Sequence, residues 1–249
     1  SRGVDIKDSL MIIKGAKTDC VDSTGAQVSF CAAYCVYRLR NGEWKEDGVL
    51  ELPFVDKDQG ASVSISGNYA IVGRFFQDVR DTALGDTVIE AGAAYIYHYN
   101  NGFWNLHAAL QASDPYPSAW FGGDVSIDGN TAVVGAPRRD RPDSENNYNY
   151  FEAGAAYVFE LENGTWVEKA RFQPDDIFDS YNFGTSVSIS SNVILVGAPF
   201  YSPTVNGSPL YGAGATYVYQ RMASTWQNSQ TITATDAEEA SYFGYAVSI

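Results

Sequence analysis

The side chains best suited to gripping another molecule are gathered in a few stretches: Arg74 and Phe76, then Tyr116 and Trp120, then Arg138, Arg139, Tyr148 and Tyr150, and last Tyr201 and Tyr211. Tyrosine, tryptophan and arginine combine a broad flat surface with hydrogen-bonding ends, and they dominate the energetics of protein interfaces. Rings beside carboxylates such as Asp78, Asp140, Asp176 and Asp179 also suit the faces of a sugar. The chemistry on offer is recognition of a protein or a glycan.

Bond-breaking chemistry has little support. Histidine occurs only as His98 and His107, both in strand-like segments, and no nucleophile motif pairs a serine or cysteine with a base. Two carboxylates could serve a glycosidase, but a chain with 30 acidic residues offers such pairs by chance. No enzyme, catalytic residue or cofactor is expected. The cluster Asp140, Asp143 and Glu145 does not have the spacing of a standard calcium loop, so no metal is expected either.

Cys20, Cys31 and Cys35 lack zinc-finger spacing, and a disulfide from Cys20 to Cys31 or Cys35 would staple the first long loop of a secreted protein. Asn163 and Asn206 begin glycosylation acceptor triplets, the first in a hairpin turn and the second in a long loop. A net charge of −14 argues against nucleic acid and anionic membrane surfaces as partners, since both require a basic stripe. No apolar run is long enough for membrane insertion as a helix, and no basic segment followed by an apolar stretch opens the sequence, so any signal peptide is expected to have been removed or never included.

The contact residues fall between copies of one repeated element. FGGDVSIDGNTAVVGAP (121–137) returns as FGTSVSISSNVILVGAP (183–199) and as QGASVSISGNYAIVGRF (59–75), and it begins again as FGYAVSI (243–249). The units span approximately 1–58, 59–120, 121–182 and 183–242, with the start of another at 243–249. Tryptophans at 44, 104, 166 and 226 keep the same period. A repeat of this length implies a stacked architecture.

Each unit reads as four short strands. In the third unit these are Asp124 to Ile127, Thr131 to Gly135, Ala155 to Glu160 and Thr165 to about Gln173. Gly67-Asn68, Asp128-Gly129-Asn130 and Ser191-Asn192 suit the first hairpin, and Asn41-Gly42, Asn101-Gly102 and Asn163-Gly164 suit the second. Ala223-Ser224 stands at the second hairpin of the last unit, where a different turn is expected. Four antiparallel strands per unit, repeated and packed face to face, give an all-β propeller. Its long connections, second strand to third and fourth to the next first, must share one face, and they carry the contact residues.

The Phe-Gly pair, the apolar strand and the Gly-Ala-Pro that follows it resemble the FG-GAP repeat, the blade of the integrin α-subunit head. The resemblance implies a propeller, commonly seven-bladed, of which about four blades are present here. It also implies extracellular or cell-surface binding duties. The integrin-type calcium loop is not matched at Ile65 to Asn68, Ile127 to Asn130 or Ile189 to Asn192, and Gln59 and Phe75 replace the family's Phe and Pro. The expected function is a binding or adhesion module. A structural module contacting other subunits of an extracellular assembly is the alternative, and a polysaccharide hydrolase the weaker one.

Overall fold

A computed structural model describes residues 3–17, 20–21, 27–28, 31–52, 62–81, 85–143, 147–174, 176, 179–205 and 207–249. Among them there is no helix, and four sheets of four antiparallel strands each follow chain order. Blade 1 is β1 (Val4–Lys7), β2 (Leu10–Lys17), β3 (Cys31–Arg40) and β4 (Glu43–Leu50). Blade 2 is β5 (Val63–Ser66), β6 (Tyr69–Arg74), β7 (Ala93–Asn100) and β8 (Phe103–Leu110). Blade 3 is β9 (Val125–Asp128), β10 (Thr131–Ala136), β11 (Ala155–Glu162) and β12 (Thr165–Phe172). Blade 4 is β13 (Ser186–Ser190), β14 (Val193–Ala198), β15 (Ala215–Met222) and β16 (Thr225–Ile232). These are all-β propeller blades.

The turns work as their residues require. Asn41, Asn101 and Asn163 take φ of 54°, 53° and 50°, each followed by a glycine that is also left-handed. Ala223 holds the same first position at 56°, but no left-handed glycine follows it. There the Thr225 hydroxyl donates to the Met222 carbonyl across the turn, at 3.2 Å.

Apolar burial lies between blades, in three slabs. Leu10, Ile12 and Tyr34 meet Val63, Ile65 and Val72 between blades 1 and 2. Ile71, Ile96 and Leu110 meet Phe121, Val125 and Val134 between blades 2 and 3, and Val133 and Val158 meet Phe183, Val187 and Val196 between blades 3 and 4. Neighbouring residues of β10 thus enter different slabs, which is why that strand is apolar without alternation.

The Phe-Gly pairs at 121, 183 and 243 each lock their unit onto the one before. Phe121 and Phe183 are fully buried, their rings edge-on to Tyr157 and Tyr217 at 5.3 and 5.1 Å. The backbone of Phe121, Phe183 and Phe243 bridges in parallel to Gly92, Gly154 and Gly214 of the preceding unit. A Cβ on Gly73, Gly135 or Gly197 would collide with the carbonyl oxygen of Gly122, Gly184 or Gly244. The glycine of the apolar strand exists for this approach.

The first strand of each blade has one edge without a sheet neighbour, and side chains of the preceding blade satisfy it. The Ile65 N–H donates to Asp5 Oδ2 (2.8 Å), Ile127 to Ser64 Oγ (3.2 Å), Ile189 to Ser126 Oγ (3.1 Å) and Ile249 to Ser188 Oγ (3.1 Å). This explains the alternation in Val-Ser-Ile: apolar residues fill the slabs and serine caps the neighbour. At one end of these strands Asp128 accepts from Lys7 Nζ (2.6 Å), Ser66 Oγ (3.2 Å) and the Ser191 N–H (2.6 Å), so one carboxylate touches all three other blades. Burial opposes its charge, but Lys7 and the hydrogen bonds outweigh burial and hold its pKa below the usual carboxylate range.

The tryptophan of the fourth strand also reaches the preceding blade. Trp166 Nε1–H donates to His107 Nδ1 (3.2 Å), and Trp226 Nε1–H donates to Glu160 Oε1 (3.1 Å).

Candidate binding site

The long connections between second and third strands are not open loops. Each folds back as a two-stranded ribbon: Cys20–Val21 with Gln27–Val28, Val79–Arg80 with Thr87–Val88, Arg141–Asp143 with Tyr148–Tyr150, and Thr204–Val205 with Ser208–Pro209. The ribbons stand on the face opposite the hairpins, and that face is richest in polar chemistry at blade 3.

Two carboxylates organise it. Asp114, between β8 and β9, accepts from Arg139 Nη2 (2.8 Å), the Tyr157 hydroxyl (2.9 Å) and Arg171 Nη1. Burial opposes its charge, yet Arg139, Tyr157 and Arg171 together hold its pKa below the ordinary value. Asp140 accepts from the Tyr116 hydroxyl (2.8 Å), Asn149 Nδ2 (2.9 Å) and the Glu152 N–H (2.9 Å), tying the ribbon to both flanking connections. Arg139 lies between the two carboxylates with its guanidinium 4.6 Å from the Tyr116 ring centre.

Beside these nodes opens a cleft of about 420 Å³ lined by Tyr116, Pro117, Ser118, Arg138, Asp140, Phe151, Glu152 and Ser180. Arg138 forks onto Glu152 Oε1 through Nε (2.7 Å) and Nη2, and its guanidinium stacks 4.3 Å from the Trp120 ring centre. Trp120 in turn packs against Phe75 and Phe76. A cationic head is thereby fixed at the wall of a rigid cleft, with the ring of Phe151 exposed at its edge.

The ten expected contact residues divide. Phe76, Trp120, Arg138 and Tyr116 form one cluster around the cleft. Tyr148 and Tyr150 stand on the adjoining ribbon, with the Tyr148 hydroxyl 2.6 Å from Asp179 Oδ2 and Tyr150 beneath Arg141. Arg74 and Arg139 are buried, so their guanidinium groups serve the blade rather than a visiting molecule. Tyr201 packs against Tyr181 and Tyr217 in blade 4, and Tyr211 stands apart as an exposed ring. Asn163 is at an exposed hairpin turn, on the opposite face. Asn206, Glu145 and Gln59, and the side chains of Cys20, Cys31 and Asp143, lie outside the described residues. Cys35 is half-buried on β3. Among the described residues no three His, Cys, Asp or Glu side chains gather as metal ligands would.

Asp114 and Phe151 were not among the ten. Asp114 has a signal in the sequence, because Asp176 and Asp236 repeat its position before the later Phe-Gly pairs. Phe151 has one too: Ile89 and Tyr211 precede the same Gly-Ala.

A model of the FG-GAP repeat family matches residues 104–159 and 166–219. The chain carries FG-GAP repeats. The matched segments run from the fourth strand of one blade into the third of the next, so each holds a Phe-Gly lock with the slab around it. FG-GAP repeats form propellers, occur in extracellular binding and adhesion proteins, and are generally non-enzymatic. No curated relative matches the chain.

Proposed function

We propose that this FG-GAP propeller is a non-enzymatic, extracellular or surface-exposed binding module that recognises a protein or a glycan through the ribbon face of blades 2 to 4. The observation that carries the reading is the cleft at blade 3, whose Arg138 is oriented by Glu152 and Trp120 before any ligand arrives. Preorganised side chains save the ordering cost that binding otherwise incurs. The test is capture on arrays of glycans and of extracellular proteins. A retained ligand should be lost by Arg138→Ala and kept by a substitution on the hairpin face, and a chain that retains neither sugar nor protein sinks the proposal.

A second reading, a module of a larger extracellular assembly, is favoured by apolar side chains exposed on β8, an outer strand away from the ends of the sequence (Phe103, Leu106). A complex from the native source that survives the Arg138→Ala change would support it.

A further inference from the structure

We propose that the ribbon face carries a set of apolar posts, one in each of blades 2, 3 and 4, that docks a polypeptide segment rich in both basic and apolar residues. The inference rests on the binding reading above and names the partner's chemistry. Ile89, Phe151 and Tyr211 occupy the same position in blades 2, 3 and 4, and they are 56, 57 and 65% exposed. Single exposed apolar residues are ordinary on any surface. What distinguishes these three is that the same backbone clamp holds each of them.

On one side of every post, its carbonyl accepts an N–H from the following connection: Ser118 onto Ile89 (3.0 Å), Ser180 onto Phe151 (2.8 Å) and Ala240 onto Tyr211 (2.9 Å). On the other side, the next residue's N–H is held by a side chain of the ribbon's base. Glu90 donates to Asp78 Oδ1 (2.8 Å), Glu152 to Asp140 Oδ1 (2.9 Å) and Gly212 to Ser202 Oγ (3.1 Å). Those next residues take φ of 51°, 47° and 64°, and two of the three are glutamates in a conformation that favours glycine. The alanines that follow, Ala91, Ala153 and Ala213, are buried. An immobile base therefore presents a large apolar side chain to water three times over, at no ordering cost to a partner.

The surroundings select that partner. Glu90 and Glu152 adjoin their posts, Asp179 accepts the Phe151 N–H at 2.8 Å, and Glu238 and Glu239 precede Ala240 below Tyr211. Of the neighbouring arginines, Arg138 is engaged by Glu152 and Arg141 lies over Tyr150, while Arg80 stands exposed on the blade 2 ribbon, within a chain of net charge −14. Apolar posts in an acidic field match a segment that alternates apolar with Lys or Arg side chains. A neutral glycan would gain nothing from that field and has no flat platform at Ile89.

The experiment measures binding of short synthetic peptides to the full chain by fluorescence anisotropy. The probes are one peptide alternating Lys and Leu, one alternating Glu and Leu, and one alternating Lys and Ser. The Lys-Leu peptide should bind at least about tenfold more tightly than either comparator. The double variant Ile89→Ser, Tyr211→Ser should erase that preference, while Phe103→Ser, an exposed residue on the hairpin face, should leave it intact. Equal binding of the Lys-Ser peptide, an unaffected double variant, or equal loss in the Phe103 variant overturns the proposal. Neither Ile89 nor Tyr211 lines the cleft. A natural ligand that is lost by Arg138→Ala but unmoved by the double variant would therefore remove the posts and leave the binding reading standing.

Discussion

The inner strands and the ribbon face of blade 3 meet the same demand, satisfying polar groups where blades touch, with opposite strategies. Along the inner strands the partners repeat. Ser64, Ser126 and Ser188 each cap an isoleucine N–H of the next unit, and Gly73, Gly135 and Gly197 each receive the backbone of the next Phe-Gly pair. On the ribbon face the backbone contacts repeat, while the side chains repeat at only a few positions, such as Asp114, Asp176 and Asp236. The N–H groups of Gly92, Gly154 and Gly214 donate to the carbonyls of Gln77, Arg139 and Tyr201 in turn. Because a backbone carbonyl can accept from any of these positions, the side chains above it can change without loss of the fold. The repeated contacts hold the molecule together, and the side chains standing above them on the ribbon face are available for recognition.

The largest expected effect comes from breaking the repeated half of this comparison. Phe183→Ala removes a fully buried ring from the slab between blades 3 and 4 and should cost about 4 kcal/mol, seen as a lowered denaturant midpoint. A loss below about 1 kcal/mol would mean that the Phe-Gly pair does not lock successive blades.

A smaller effect is expected from the ribbon face. Asp114→Ala deprives Arg139, Tyr157 and Arg171 of their shared acceptor at a partly exposed site. It should cost about 2 kcal/mol and weaken any ligand of the cleft. If stability fell as far as in the Phe183 variant, the ribbon face would be part of the structural frame and the comparison would fail.

The smallest effect is a dependence on pH, which sharpens the comparison by separating groups. Burial and the nearby His98 lower the pKa of His107. The unfolded chain therefore takes up that proton first, and stability falls as pH drops below about 6.5 toward the folded value. Asp128 and Asp114 are shifted down as well, but as acids. Their contribution is fully present above about pH 4 and is lost as pH falls through their folded values. Denaturant midpoints measured across pH should show both windows, and His107→Gln should remove only the upper one. A flat profile between about pH 7 and pH 5 would remove His107 from the blade 2 and 3 contact.

Much of the fold was legible without coordinates. Strand limits in blade 3 fall within two residues of those read from the turns, because hairpin residues and alternation act over a few neighbouring positions. Phe76, Trp120 and Arg138 stood among ten candidate contact residues, but nothing in the sequence marked them as one cluster. The burial of Arg74 and Arg139 was not, since the same residue type stands buried or exposed according to what the next blade lays over it.

The sequence by itself determined the repeat and the four-stranded blade, since each is written as a local pattern that recurs with a fixed period. Only the tertiary structure decided that Asp128 touches three other blades, that Asp114 gathers its partners from three segments of blade 3, and that Ile89, Phe151 and Tyr211 stand exposed on one repeated backbone clamp. Those relations join residues far apart in the chain, and their geometry is set by how blades pack. No short stretch of sequence records it.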